Sequence, residues 1–149
     1  MEQERAFPAP EILPALDRLG LEFLADFLEV ETDRHPENLA ALGELGHLCT
    51  RLGRHAKALG VDRRLVGLRP LDPTVHYNLA CSLALVGEAG ACIAALERAI
   101  ALGYDDLAHL LADEDLASVR EHAGFRRIAQ GLEAKPETPE GSPESPAGP

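Results

Sequence analysis

The spacing of apolar residues predicts a chain made of helices. Apolar side chains recur at intervals of three and four, which is the period of a helix that buries one face. The predicted helices lie near residues 10–19, 21–34, 38–52, 55–68, 73–86, 89–102, 106–112, 115–121 and 123–133. The ends of the chain, 1–9 and 134–149, are polar and interrupted by proline, so we expect both to be disordered.

Glycines and capping residues mark the predicted helix ends. Gly20 is expected to end the first helix, so that residues 10–35 form a degenerate pair of helices. The second helix of this pair is expected to bury four apolar residues: Leu21, Leu24, Phe27 and Leu28. Gly53 and Gly87 permit left-handed turns, and Asp72 is a predicted N-cap.

The apolar pattern also repeats at a spacing of 34 residues. The matched positions are Leu45 and Leu79, Gly53 and Gly87, Arg64 and Arg98, Leu68 and Leu102, and Pro36 and Pro70. A period of this length is typical of arrays of helix–turn–helix units that bury their apolar faces against one another. We therefore expect repeats at 37–70 and 71–104, followed by capping helices at 105–133.

The residue types inside each unit resemble those of the tetratricopeptide repeat (TPR). The large–x2–Leu–small–x2–large pattern of its first helix is present twice, as Leu42, Leu45, Gly46 and Cys49 and as His76, Leu79, Ala80 and Leu83. In the second helix, Cys92 and Leu96 supply the small and large positions. Ala58 supplies the small position of the earlier copy, but Asp62 stands where a large apolar residue is expected. Pro70 closes the first copy, and Tyr104 replaces it in the second.

The resemblance implies an all-α fold, a short right-handed superhelical solenoid of antiparallel helix pairs with atypical capping helices. Segment 102–125 also resembles the closing segment of bacterial TPR proteins. Such arrays bind other proteins and perform no chemistry, so the expected function is that of a non-catalytic adaptor or scaffold.

The resemblance further implies a peptide-binding groove lined by the first helix of each pair. The predicted groove residues are His47, Thr50, Arg51, Tyr77, Asn78 and Cys81. The 34-residue offset stacks His47 beside Cys81, and Arg51 favours an acidic or carboxylate-bearing ligand. A clamp for chaperone tails is not expected, because Gly43 and His47 occupy the positions of its lysine and asparagine.

Charge and composition narrow the classes of partner. The net charge is −11, with −6 in residues 1–34, +1 in 35–100 and −6 in 101–149. Such an acidic chain is not expected to bind nucleic acid. A basic surface at Arg54, Lys57 and Arg63 is the alternative docking site for an acidic segment.

Sequence features also bear on the compartment. The chain shows no signal-peptide pattern, no apolar run that would span a membrane, and an odd number of cysteines, three. These features predict a cytoplasmic protein.

Two alternatives to the adaptor follow from particular residues. Phe23 and Val30 exceed a single apolar stripe, so the N-terminal helices could remain exposed and form a homodimer. His47 and Cys81 could form a thiolate–imidazole pair, which makes a cysteine-dependent enzyme the remote alternative.

No cofactor or metal is expected. His109, Asp113, Asp115 and His122 lie close in sequence, but Asp113 is better explained as a helix cap. Cys49 and Cys92 fall on packing positions, where they are expected to act as small buried apolar residues.

Overall fold

The computed structural model describes residues 12–134, with side chains from residue 14 onward. The terminal segments predicted to be disordered lie outside these residues, apart from Ala134. The described part is all-helical, as predicted, and contains α1 (Ile12–Arg34), α2 (Leu39–Arg51), α3 (His55–Leu68), α4 (Pro73–Leu85), α5 (Ala89–Ala101), α6 (Leu107–Ala112), the 3₁₀-helix η1 (Glu114–Val119) and α7 (Ala123–Glu133). Each helix from α1 to α4 packs on the next, η1 packs on α4, and α7 packs on both α5 and α6.

The first helix runs through Gly20, so the predicted helix pair at 10–35 is wrong. A single α-helix covers Ile12–Arg34. The left-handed conformation that ends many helices occurs at other glycines and not at Gly20. A glycine inside a helix costs only about 1 kcal/mol relative to alanine. An ion pair between Arg18 and Glu22, 2.9 Å long, spans the position and supports the continuous helix.

One face of α1 packs on α2, and the opposite face is exposed. Ala25, Leu28 and Thr32 are buried. Leu24 and Phe27, which were expected to be buried, are exposed. The prediction of a buried stripe was wrong because α1 has no second described helix to cover its other side. An exposed apolar stripe results, formed by Leu16, Leu19, Phe23, Phe27 and Val30.

Caps and glycine turns recur with the sequence period. Asn38, Asp72 and Asp106 lie 34 residues apart, and each side chain accepts a hydrogen bond from a backbone N–H at the start of a helix. Gly53 and Gly87 have φ of 72° and 83°, as their predicted turns require. The caps and turns therefore begin and end helices at the same point of successive units.

The buried apolar residues form two clusters that meet at α3 and α4. The N-terminal cluster joins α1, α2 and α3, and Val75 of α4 belongs to it. The C-terminal cluster joins α4, α5, α6, η1 and α7, and Leu59 of α3 belongs to it. Cys49 and Cys92 are fully buried within these clusters, as predicted. No helix within residues 12–134 combines the length and the apolar composition that crossing a bilayer requires.

Candidate functional site

A cavity of about 160 Å³ lies between α2, α3, α4 and the segment that joins α6 to η1. Polar and charged side chains line it together with a few small and apolar residues. The lining residues are Gly43, Gly46, His47, Thr50, Asp62, Leu65, Tyr77, Asn78, Cys81, Ser82, His109, Asp113 and Asp115.

Helix α2 forms an open wall of this cavity because two of its residues there are glycines. A Cβ at Gly43 would meet no atom within 4 Å, and one at Gly46 would lie 3.4 Å from Oδ1 of Asp62 and from Val61. His47, one turn further along the same face, is exposed. The glycines thus leave space above the carboxylate of Asp62.

Asp62 is the buried charged residue of the site. Its side chain on α3 is only 6% exposed. Ser82 on α4 donates a hydrogen bond from Oγ to Oδ2 of Asp62 at 2.5 Å. Burial raises the pKa of Asp62 from 3.8 to about 6, while the hydrogen bond from Ser82 acts in the opposite direction. The carboxyl group is therefore largely ionised at neutral pH.

The opposite wall is built by Tyr77 and the segment after α6. The Tyr77 hydroxyl donates to Oδ2 of Asp113 at 2.7 Å. Its ring stacks on Tyr104 with centroids 4.4 Å apart. Asp113 also accepts from the backbone N–H of Asp115 at 3.0 Å and caps η1, as predicted. These contacts hold two carboxylates beside α4.

Cys81 lies next to those carboxylates. Its Sγ donates to Oδ2 of Asp113 across 3.6 Å. The Sγ atom and carboxylate oxygens of Asp113 and Asp115 all lie within 4.8 Å of one another, a spacing that could hold a metal ion. Burial, followed by the charges of Asp113 and Asp115, raises the pKa of the Cys81 thiol. The thiol is therefore protonated at neutral pH.

Five of the six predicted groove residues line this cavity: His47, Thr50, Tyr77, Asn78 and Cys81. The sixth, Arg51, lines a separate depression beside Arg18 and Leu21. It is displaced because the helical turn that places His47 over the cavity points the side chain four residues later toward α1. The expected carboxylate-binding arginine is thus absent from the cavity lining.

The predicted basic surface lies on α3 and contacts the acidic side of α1. Arg54 pairs with Asp26 at 3.2 Å, and Lys57 pairs with Glu29 at 2.5 Å. Arg63 forms no ion pair among residues 14–134. Two of its three members are thus engaged within the chain.

Sequence reasoning did not place three aspartates and one histidine at the site: Asp62, Asp113, Asp115 and His109. The 34-residue offset contained one of them, because a further step from His47 and Cys81 reaches Asp115. Asp62 was visible as a polar residue at an apolar position of the repeat. Asp113 and His109 carried no such signal.

Comparisons with known proteins give limited information. No family model matches the chain. A chloroplastic protein of Arabidopsis thaliana is 29% identical over 76 residues. This alignment covers 49% of the chain and 23% of the Arabidopsis protein, so the chain spans about a quarter of the length of that relative.

Proposed function

We propose that this protein is a non-catalytic interaction module with a TPR-like arrangement, in which the cavity between α2 and α4 receives a segment of another protein. The observation that carries the proposal is the convergence of His47, Tyr77, Asn78 and Cys81 on one cavity. The repeat period and the resemblance to TPR proteins predict these same residues.

The chemistry of the cavity mouth suits an extended peptide. Asn78 is exposed, and its amide forms no hydrogen bond with another described residue. An amide can donate to and accept from a peptide backbone at the same time. The recurring caps at Asn38, Asp72 and Asp106 further support an array of equivalent units.

The state of Cys81 supports binding over cysteine-dependent catalysis. A nucleophilic cysteine requires a lowered pKa and a base within hydrogen-bond reach. Here the pKa of the thiol is raised, and Sγ donates to Asp113. Among the described residues, His47 forms no hydrogen bond with Cys81. We therefore expect Cys81→Ser to leave partner binding largely intact.

Affinity capture with matched variants tests the module. The full chain is immobilised, and its partner is identified and then purified for titration. Asn78→Ala should weaken binding about tenfold, because a lost backbone-directed hydrogen bond costs roughly 1–3 kcal/mol. Thr74→Ala is the control, since Thr74 is exposed on the same helix outside the cavity. Equal affinities for wild type, Asn78→Ala and His47→Ala would exclude the cavity as the binding site.

A second candidate function, self-assembly, is favoured by the exposed stripe of α1. Phe23 is 74% exposed, and Phe27 and Val30 lie on the same face. Contiguous apolar patches of this kind mark interaction sites in many proteins. We propose that two copies of the chain pair through this stripe.

Sedimentation velocity at increasing protein concentration tests self-assembly. Wild type should form dimers, and Phe23→Glu should remain monomeric. Ala94→Glu, which adds the same charge at an exposed position of α5, should still dimerise. A monomeric wild-type protein across the micromolar range would remove this function and leave the adaptor proposal standing.

A further inference from the structure

The charge of the cavity points to the chemistry of its ligand. Three carboxylates line the cavity: Asp62 from α3, Asp113 after α6 and Asp115 from η1. No lysine or arginine is among the lining residues. The histidines that face it, His47 and His109, are exposed and close to their neutral form at physiological pH.

The nearby cations are occupied elsewhere. Arg120 donates to the backbone carbonyl of Asp113 at 2.9 Å and pairs with Glu114, so its charge is shared with a residue outside the cavity. His109 lies 3.6 Å from Asp113, at the rim. Within residues 14–134, no ion pair involves Asp62.

Asp62 is the independent observation that turns an acidic surface into a site. Its side chain is more than nine-tenths buried, and one oxygen accepts from Ser82. The other, Oδ1, accepts no hydrogen bond from a described residue and lies beneath the opening left by Gly46. A buried carboxylate without a counter-ion destabilises the folded chain, so its presence at the base of a cavity requires another explanation.

The size of the cavity restricts the ligand further. A volume of about 160 Å³ is smaller than the roughly 300–1,000 Å³ of sites that enclose whole small molecules. It is large enough for one long side chain. An aliphatic stem could lie along Leu65 and Tyr77 while its charged end reaches Asp62.

We propose that the cavity receives one lysine or arginine side chain of the bound protein segment, with Asp62 as its counter-ion and Asp115 as a second acidic contact. This inference rests on the proposed function and specifies the ligand of the same site. It replaces the acidic ligand that Arg51 suggested, since Arg51 lines a different depression.

Pooled heptapeptides, acetylated and amidated at their ends, test the assignment. The central residue is fixed as lysine, arginine, glutamine or glutamate, and the flanking positions are randomised. The full-length protein is immobilised at neutral pH, and retained peptides are quantified by mass spectrometry. The lysine or arginine pool should be enriched over the glutamine pool, and the glutamate pool should be depleted. The lysine and arginine arms identify which cation is preferred.

Variants connect any enrichment to the cavity. Asp62→Asn should reduce the cationic preference about tenfold or more, because one partner of a buried charge pair is lost. Asp105→Asn removes one charge at an exposed position outside the cavity and should have no effect. Circular dichroism checks the fold of each variant. If Asp62→Asn does not fold, Asp115→Asn serves in its place and should also reduce the preference.

The contrary outcomes separate the two proposals. Equal retention of the lysine, arginine and glutamine pools would overturn the cationic ligand while the peptide-binding function stands. No retention of any pool by wild type would overturn both. Loss of retention after adding EDTA would mean that a metal ion at Cys81, Asp113 and Asp115 holds the ligand, which also overturns the assignment.

Discussion

Asp62 shows how one residue can oppose folding and still define a site. The repeat pattern calls for a large apolar side chain at this position, and burial of the carboxylate raises its pKa to about 6. The folded chain therefore binds a proton at Asp62 more tightly than the unfolded chain does. The contribution of Asp62 to stability is most favourable below about pH 4 and is lost as pH rises toward 6.

Asp62→Asn should accordingly stabilise the protein at neutral and alkaline pH. Asparagine retains an acceptor for Ser82 and removes the buried charge. We expect an increase in the free energy of unfolding of up to about 3 kcal/mol near pH 8, which shrinks toward zero near pH 4. Urea unfolding of both proteins across this pH range measures the difference. A variant that is less stable than wild type at pH 8 would mean that Asp62 has a cation partner in the free protein.

Two glycines of α7 should respond in opposite directions to alanine. A Cβ at Gly124 would lie 2.6 Å from Cγ2 of Ile93 on α5, whereas a Cβ at Gly131 would meet no atom within 4 Å. Gly124→Ala should therefore cost roughly 1–3 kcal/mol by overpacking. Gly131→Ala should stabilise by a few tenths to about 1 kcal/mol, the helix-propensity gain. Thermal unfolding measures both, and a stable Gly124→Ala variant would indicate that α7 can move away from α5.

At the scale of helices, local signals define where an element starts, while packing decides which face it buries. Asp72 caps α4 through a 2.9 Å bond from the backbone N–H of Thr74, and Pro73 occupies the first turn. By contrast, the buried face of α1 is selected by α2. The apolar residues on the opposite side of α1 are equally hydrophobic and remain exposed.

Ala80→Leu tests the packing of α4 against its neighbours. Ala80 is fully buried, so a larger side chain should overpack the helix interface and cost roughly 1–3 kcal/mol. Thr74→Leu adds an apolar side chain at an exposed position of the same helix and should be nearly silent. Guanidinium unfolding of the two variants gives the comparison. Equal losses would show that the helical phase of α4 is not the one described.

At the scale of the whole molecule, α4 is the central element. It packs on α3, α5 and η1, and residues on it belong to both apolar clusters. Helix α1 lies at one end, held by α2 and by ion pairs from Arg54 and Lys57. Exposed ion pairs contribute little to stability, so α1 depends mainly on Ala25 and Leu28.

Native-state hydrogen exchange should separate these two helices. Amides of α4 should exchange only through global unfolding, and those in the first turns of α1 at least about tenfold faster through local opening. The measurement uses dilute protein, where self-association is weakest. Equal protection of α1 and α4 in dilute solution would indicate a single cooperative unit and contradict this order. Protection of α1 that rises with protein concentration would identify a second copy as the cover of its apolar stripe.

Much of the site follows from the sequence because the repeat period carries positional information. The offset of 34 residues brought His47 and Cys81 to one cavity. A further step would have added Asp115. The contact between Tyr77 and Asp113 joins residues 36 apart, a separation that the period does not predict.

The amino-acid sequence by itself determined the helical class, the turns at Gly53 and Gly87 and the caps at Asp72 and Asp113. These features depend on interactions within a few residues, which the chain makes wherever it folds. Only the tertiary structure decided that α1 continues through Gly20, which of its faces is buried, and that Arg51 points away from the cavity. It also paired Asp62 with Ser82 across two helices. Such contacts depend on how packed helices are oriented, which no local pattern specifies.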